Sequence, residues 1–296
     1  MRRRSPACAQ VCLWVSAVLL LVAPLATAMA QATPPYVVIV NSYHQGYSWS
    51  DDEVAGVLAA MREQYPTFDP PIEHLDAKRF PDEEHLAACA DHLRAKYQGK
   101  KVALVIALDY AALDMLLRYR AKLFPGAPIV FGGYNDYHAE ISADHKGVTG
   151  VAQRMDIANT LEVALALHPH AREALIVHDY TTTGQALRRE AEDALTRLAN
   201  SDVTVRYLPP ATFDETLAAM RALPAQDLAI ILSFITDREG RSLSVQESTR
   251  LLTQASPAPV YAVHEILLGS GVVGGYLLDG VAHGRQVGQM ALRILA

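Results

Sequence analysis

From Tyr36 onward, nine short apolar, largely β-branched runs alternate with helix-patterned segments, and that rhythm restricts the fold more than any other feature of the chain. The runs are YVVIV (36–40), PIEHLDA (71–77), KVALVIAL (101–108), PIVFGG (128–133), GVTGVAQ (147–153), ALIVHD (174–179), VTVRYL (203–208), LAIILSF (228–234) and VYAVHE (260–265). Between them, 51–64, 82–97, 111–123, 157–167, 184–199, 213–222 and 243–255 carry apolar residues at three- and four-residue spacing, the stripe of an amphipathic helix. Several strands are apolar throughout, which predicts α/β architecture with parallel sheets covered by helices on both faces.

The stretch 147–160 interrupts the pattern. GVTGVAQRMD carries two glycines and scattered polar residues, and the alternation restarts at Ala174. It reads as a crossing between two Rossmann-like, doubly wound lobes joined by a hinge: lobe 1 over 34–150 plus about 276–296, lobe 2 over 151–275. The last segment, GRQVGQMALRILA, sets Val287, Met290, Ala291, Ile294 and Leu295 on one helical face, a stripe expected to return to the first lobe. The chain ends at Ala296 inside this helix without a glycine cap, so the natural sequence is expected to continue.

The N-terminus has its own signature. Arg2, Arg3 and Arg4 precede an uncharged run from Val11 to Leu25, and Ala28-Met29-Ala30 supplies a small-x-small cleavage site before Gln31. That is the layout of a signal peptide, with an uncleaved membrane anchor as its competitor. Either places the rest in the periplasm or on the extracytoplasmic face of the inner membrane. The formal charge of −6 becomes −9 once three arginines and no acids leave with residues 1–30. An acidic surface argues against nucleic acid as a partner. Cys8 and Cys12 fall in the leader, so Cys89 has no internal disulfide partner and is expected to serve as a small buried hydrophobe.

Parallel α/β sheets bind ligands beyond the carboxyl ends of their strands. Those positions hold Ser42, Tyr43, His44 and Trp49 after the first run, Asp109 and Tyr110 after the third, and Tyr134 and Asn135 after the fourth. The second half adds Tyr180, Thr182, Ser233 and His264. Aromatic rings beside small hydroxyl and amide groups suit binding of a small organic ligand better than catalysis. The histidines show no metal-binding spacing: His168 and His170 sit at a helix end, and His264-Glu265 lacks a second histidine. Gly269 to Gly274 matches a dinucleotide-loop pattern but precedes the extended GYLLDG rather than a helix, so it reads as a turn. No nucleophile elbow or phosphate loop is present, and nothing calls for a cofactor.

NSYHQGYSWSDD after the first run, ALDYAAL after the third, PIVFGGYND after the fourth and EILLGSGVVGGYLLDGVAHGRQVGQMALRIL at the end resemble the ABC-transporter-type substrate-binding proteins of type I periplasmic fold. Within that family the likeness points to the extracytoplasmic sensor regions of bacterial histidine kinases and diguanylate cyclases. The resemblance implies two lobes closing on a small molecule, noncatalytic, with closure reported to a membrane signalling module. The alternative is a free solute-binding subunit serving an ABC permease; a secreted α/β enzyme using His264 or His44 as base is the remaining reading. A homodimer stays open. The family usually continues past this last helix to a final crossing segment, which this chain lacks.

Within the stretch Asn41 to Glu53, Ser50 and Glu53 have capping-box spacing and Trp49 with Val54 has the spacing of a hydrophobic staple. Local structure therefore accounts for SWSDDE, which narrows the binding expectation there to Ser42, Tyr43 and His44.

Overall fold

The computed structural model describes residues 33–134, 145–196 and 203–296. The expected leader (1–30), Asn135 and the end of the 184–199 helix lie outside the described residues. No helix among the described residues is long and apolar enough to cross a membrane.

The elements follow the expected alternation: β1 (Val37–Asn41), α1 (Ser48–Gln64), β2 (Ile72–His74), α2 (Glu83–Lys96), β3 (Leu104–Leu108), α3 (Asp109–Leu123), β4 (Ile129–Tyr134) and β5 (Val148–Ala152). Then come α4 (Ile157–Leu167), β6 (Glu173–His178), α5 (Thr182–Thr196), β7 (Thr204–Tyr207), α6 (Phe213–Ala222), β8 (Leu228–Ser233), α7 (Val245–Ala255), β9 (Val260–Ala262), a single 3-10 turn (Glu265–Leu267) and α8 (Gly280–Leu295). The strands form two parallel sheets, ordered β2-β1-β3-β4-β5 and β7-β6-β8-β9. In each, the first strand is flanked by the second and third, so chain direction across the sheet reverses between β1 and β3 and between β6 and β8. Such switch points open a crevice at the carboxyl edge.

Each central strand is buried on both faces, and its alternate residues feed two cores. Val38, Val40, Val105 and Ala107 pack with Leu93, Met115 and Leu116 from α2 and α3. Val37, Ile39, Leu104 and Ile106 meet Val57, Met61, Val287 and Ala291 from α1 and α8. The second sheet repeats the arrangement, with Ala174, Ile176 and Ile230 against α4 and α5 and Leu175, Val177 and Ile231 against α6 and α7. Cys89 is half-buried against the first of these cores, and burial pushes its thiol up.

Three expectations need correction. The segment 147–160 is not all crossing: Val148–Ala152 pairs with β4 as the edge strand of the first sheet, leaving 153–156 to pass between sheets. The final stripe is narrower than expected, because Val287 and Ala291 are fully buried but Ile294 is 43% exposed. What brings α8 onto α1 is small residues. A Cβ on Gly284 would lie 2.0 Å from the Glu53 carbonyl oxygen, and one on Gly56 2.1 Å from the Val281 oxygen. The helices thus touch backbone to backbone, a contact only glycine permits.

The third correction concerns the start of α1. There is no capping box: Tyr47 is the N-cap and makes no side-chain cap bond. The Ser50 hydroxyl donates instead to Asn41 Oδ1 at 2.9 Å, while the Asp51 carboxylate takes the Gly46 N–H at 3.0 Å. With the helix beginning at Ser48, Trp49 and Glu53 are helical residues buried in the interior rather than parts of a terminal motif.

Candidate functional site

A cavity lies between the carboxyl edges of the two sheets. One wall comes from the first sheet's side (Tyr43, Tyr47, Trp49, Lys78, Asp109 and Gln153) and the other from the second (Thr183, Ser233, Phe234, Val245, Thr249 and His264, with Leu187, Leu232 and Ile266). The space between the walls, counting the part open to solvent, comes to about 490 Å³. Two further cavities flank it, one beside His44 and Arg79 and one beside Tyr110 and Thr182; Lys78 alone lines all three.

The walls are held together. The Tyr43 hydroxyl and Thr183 Oγ1 share a 2.7 Å hydrogen bond, and Gln246 Nε2 donates to Ser48 Oγ at 2.8 Å. Trp49 meets His264 edge to face with ring centroids 5.4 Å apart, and Gln153 Nε2 lies 3.3 Å from His264 Nε2. Tyr43, Tyr47 and Trp49 are counted among the apolar core under the second sheet, with Leu175, Phe234 and Leu267. The lobes are therefore closed upon each other.

Burial sets the protonation of the wall. His264, 8% exposed, is pushed down to about 4 by desolvation, partly offset by a hydrogen bond to the Leu232 backbone. Its ring is neutral, so Nε2 accepts from the Gln153 amide and Gln153 Oε1 is left without a partner. His283 on α8 is likewise neutral, pushed down to about 4 by burial, and its Nε2 accepts the Gly133 N–H at 2.7 Å.

Behind Trp49 sit two carboxyl groups, Glu53 and Asp109, 0% and 2% exposed. The indole N–H of Trp49 donates to Asp109 Oδ1 at 3.2 Å. Apart from the same indole N–H, Glu53 meets no donor among the described residues, so a hydrogen bond between the two acids requires that one of them carry a proton. Desolvation raises both, Glu53 well above its ordinary range and Asp109 to about 7, the latter lowered somewhat by Glu53, Trp49 and Lys78. Asp109 also takes a left-handed φ of 66° at the first residue of α3. Gly133 makes room for the pair: a Cβ there would stand 2.6 Å from Asp109 Oδ1 and 2.9 Å from Glu53 Oε1.

Lys78 is placed by the turn after β2. Leu75 N–H bonds to the Asn41 oxygen and Ala77 N–H to the Ser42 oxygen, both at 2.9 Å, which lays this turn along the end of β1. The ammonium lies 5.1 Å from the Tyr43 ring centroid and 5.6 Å from that of Tyr47. It is 7% exposed and makes no hydrogen bond or ion pair among the described residues. A buried cation held only by ring faces is expensive unless something else meets it.

Of the residues expected from the sequence, Tyr43, Trp49, Asp109, Ser233 and His264 line the central cavity. His44, Tyr110 and Thr182 line the flanking ones, His44 with Nδ1 3.4 Å from Asp76 and Tyr110 stacked on Tyr134 at 4.8 Å. Ser42 is spent on structure: its hydroxyl donates to the Leu108 oxygen and accepts the Ala112 N–H, both at 2.8 Å, tying β1 to the β3–α3 junction. Tyr180 points to β7, its hydroxyl donating to the Leu208 oxygen at 3.0 Å. Of the three residues to which the expectation was narrowed, Tyr43 is on the central wall and His44 on a flanking one, whereas Ser42 is on neither and Trp49, set aside as a staple, lines the central cavity. Sequence reading missed Lys78, Tyr47, Gln153 and Thr183, which follow or neighbour strand ends and were visible by position; Glu53 was concealed by its cap-like spacing.

The Ser233 hydroxyl donates to Asp179 Oδ2 at 3.3 Å, and that of Thr183 is bound to Tyr43.

No family model matches this chain, and no curated protein does. Solved structures do. The ABC domain from Streptococcus pneumonia in complex with L-Trp superposes with TM-score 0.66 at 14% identity, covering 89% of this chain and 85% of that one. The ligand-free, open substrate-binding protein CD0873 from Clostridium difficile gives 0.59 at 16%, over 88% and 85%. An ABC transporter solute-binding protein from Bacillus halodurans with bound myo-inositol gives 0.57 at 14%, over 89% and 90%. The fold is that of the type I periplasmic binding proteins.

Proposed function

We propose that this chain binds a small organic molecule outside the cytoplasm and presents its closed form to a membrane partner. That partner is a signalling module in the reading taken from the sequence and an ABC permease in its alternative. The observation that carries the binding reading is the central cavity: its two walls belong to different sheets and are joined across the cleft by Tyr43–Thr183 and Trp49–His264. A ligand seated there touches both walls at once, so it favours the closed arrangement by its differential affinity for closed over open. In this reading each sheet with its helices moves as one lobe, and 153–156 and the turn region 263–279 act as hinges. The fold neighbours with bound L-Trp and myo-inositol support a ligand of that size.

The test is a thermal-shift screen of small metabolites on the purified chain, followed by X-ray scattering with each compound that stabilises it. A ligand at 100 times its dissociation constant adds about 2.7 kcal/mol of stability. The expected result is stabilisation by one chemical class, with a smaller radius of gyration and the compound recovered unchanged. If no compound stabilises the protein, the binding reading fails; if a stabilising compound is converted, the enzyme reading replaces it.

A further inference from the structure

Three side-chain atoms on the wall of the central cavity are buried and lack a hydrogen-bond partner: Lys78 Nζ, Asp109 Oδ2 and Gln153 Oε1. All three residues are more than nine-tenths buried, at 7%, 2% and 4% exposure. They follow three different strands, β2, β3 and β5, Asp109 as the first residue of α3, so no single local motif explains their convergence. Native interiors satisfy nearly all their polar groups, and exceptions gathered on one cavity wall mark where a ligand supplies the missing partners.

The chemistry of the three is complementary to one ligand type. Lys78 is a donor only and carries a charge. Asp109 Oδ2 and Gln153 Oε1 are acceptors, and because Glu53 keeps its proton while Asp109 ionises near pH 7, the pair carries one negative charge, on Asp109, above that pH. The site thus offers one cation, one anion and an amide oxygen, while most of the remaining wall is apolar: Leu187, Leu232, Phe234, Val245 and Ile266. A neutral polyol would leave the Lys78 ammonium buried without a counter-charge and would set hydroxyls against apolar surface. A simple carboxylic acid would leave Asp109 facing it unpaired.

Resting on the binding reading above, we infer that the cavity takes a small zwitterion, an α-amino acid with an apolar or aromatic side chain. Its carboxylate pairs with Lys78 Nζ and its ammonium is received by Asp109 Oδ2 and Gln153 Oε1. The side chain lies against the second sheet's apolar wall. Tyr43 and Tyr47 hold the ammonium of Lys78 in place by their ring faces and shield the ion pair from water.

The experiment is titration calorimetry on the whole chain with L-leucine, L-phenylalanine and L-tryptophan, each compared with its carboxamide and with its deaminated acid, and with myo-inositol and D-ribose. At least one amino acid is expected to bind, and its carboxamide to bind at least about 30-fold more weakly, as for loss of one partner of a buried charge pair. In Lys78→Met the preference for acid over carboxamide disappears. In Asp109→Asn the preference for amino acid over deaminated acid falls in the same way. Lys78→Met removes a buried ammonium that makes no hydrogen bond or ion pair among the described residues, so its melting temperature should not fall, and a folded variant without the preference is the decisive result. An amino acid and its carboxamide binding equally well would overturn the inference. So would a polyol whose affinity Lys78→Met leaves unchanged, although the binding reading would then stand. If neither these probes nor the broader metabolite screen yields a ligand, both fail.

Discussion

Replacing the acid pair with its amides, Glu53→Gln with Asp109→Asn, should change how stability depends on pH more than stability itself. The amides keep the shape, can hydrogen-bond to each other, and asparagine tolerates the left-handed backbone at position 109. In the wild type, desolvation raises Asp109 from 3.8 to about 7 in the folded state. Below pH 3.8 both folded and unfolded chains hold the proton, and the full benefit of the buried neutral acid is present. As pH rises from there the unfolded chain ionises and the folded one does not, so stability falls until about pH 7, where the folded group also ionises. At 1.36 kcal/mol per unit the loss from Asp109 alone is about 4 kcal/mol. The rise of Glu53 has the same sign and adds to it. His264 and His283 work in the opposite direction but titrate in both proteins, so they cancel in the difference. Urea unfolding of wild type and double variant, at half-unit steps from pH 4 to 8, should give a difference curve moving in the variant's favour by about 4 kcal/mol or more. A difference that stays flat over that range would show that burial does not hold the proton on Asp109 up to about pH 7 and would refute the reasoning.

Four further outcomes are expected. Ser42→Ala strands the Ala112 N–H and removes a donor to the Leu108 oxygen, and should cost about 2 kcal/mol in urea unfolding with the slope unchanged. Gly284→Ala puts a methyl 2.0 Å from the Glu53 oxygen, so α8 must lift from α1; a cost near about 3 kcal/mol, read as a lower melting temperature, follows from overpacking. Lowering pH from 6.5 to 4 must protonate His283 in the unfolded chain first, since its folded value lies near 4; that group alone should withdraw about 3 kcal/mol of stability over this window, and His283→Gln should abolish its share. Tyr43→Phe breaks the bond to Thr183 and should weaken closure by about 1 kcal/mol, visible as a larger radius of gyration in ligand-free solution.

Much of the fold was legible because its signals are local and repeated. β1 is VVIVN and β3 is LVIAL, both buried throughout, and such runs between amphipathic helices have few homes other than a parallel sheet. The site was legible only as an address. Strand ends locate Tyr43, Asp109, Ser233 and His264, but the same rule locates Ser42 and Tyr180, which structure consumes. Ser42 and Tyr43 are adjacent, and their opposite fates depend on the Ala112 N–H and Thr183, which lie 70 and 140 residues further along. Trp49 and Glu53 misled because their spacing imitates a helix cap, whereas the cap forms one turn earlier and both side chains turn inward.

The sequence by itself determined the order of elements, the parallel sheets and the edge at which a ligand would sit, since apolar periodicity and the sense of the strands are properties of short segments. Only the tertiary structure decided which polar groups are left unsatisfied there. Lys78 is one lysine among the chain's basic residues until the turn after β2 is pinned along β1 and two tyrosine rings cover its ammonium. Glu53 and Asp109 are ordinary acids until α8, drawn close by Gly284, and the bare Cα of Gly133 shut water away from them. The cost of burying a charge depends on what surrounds it in three dimensions, and that cost turns these residues into a candidate site.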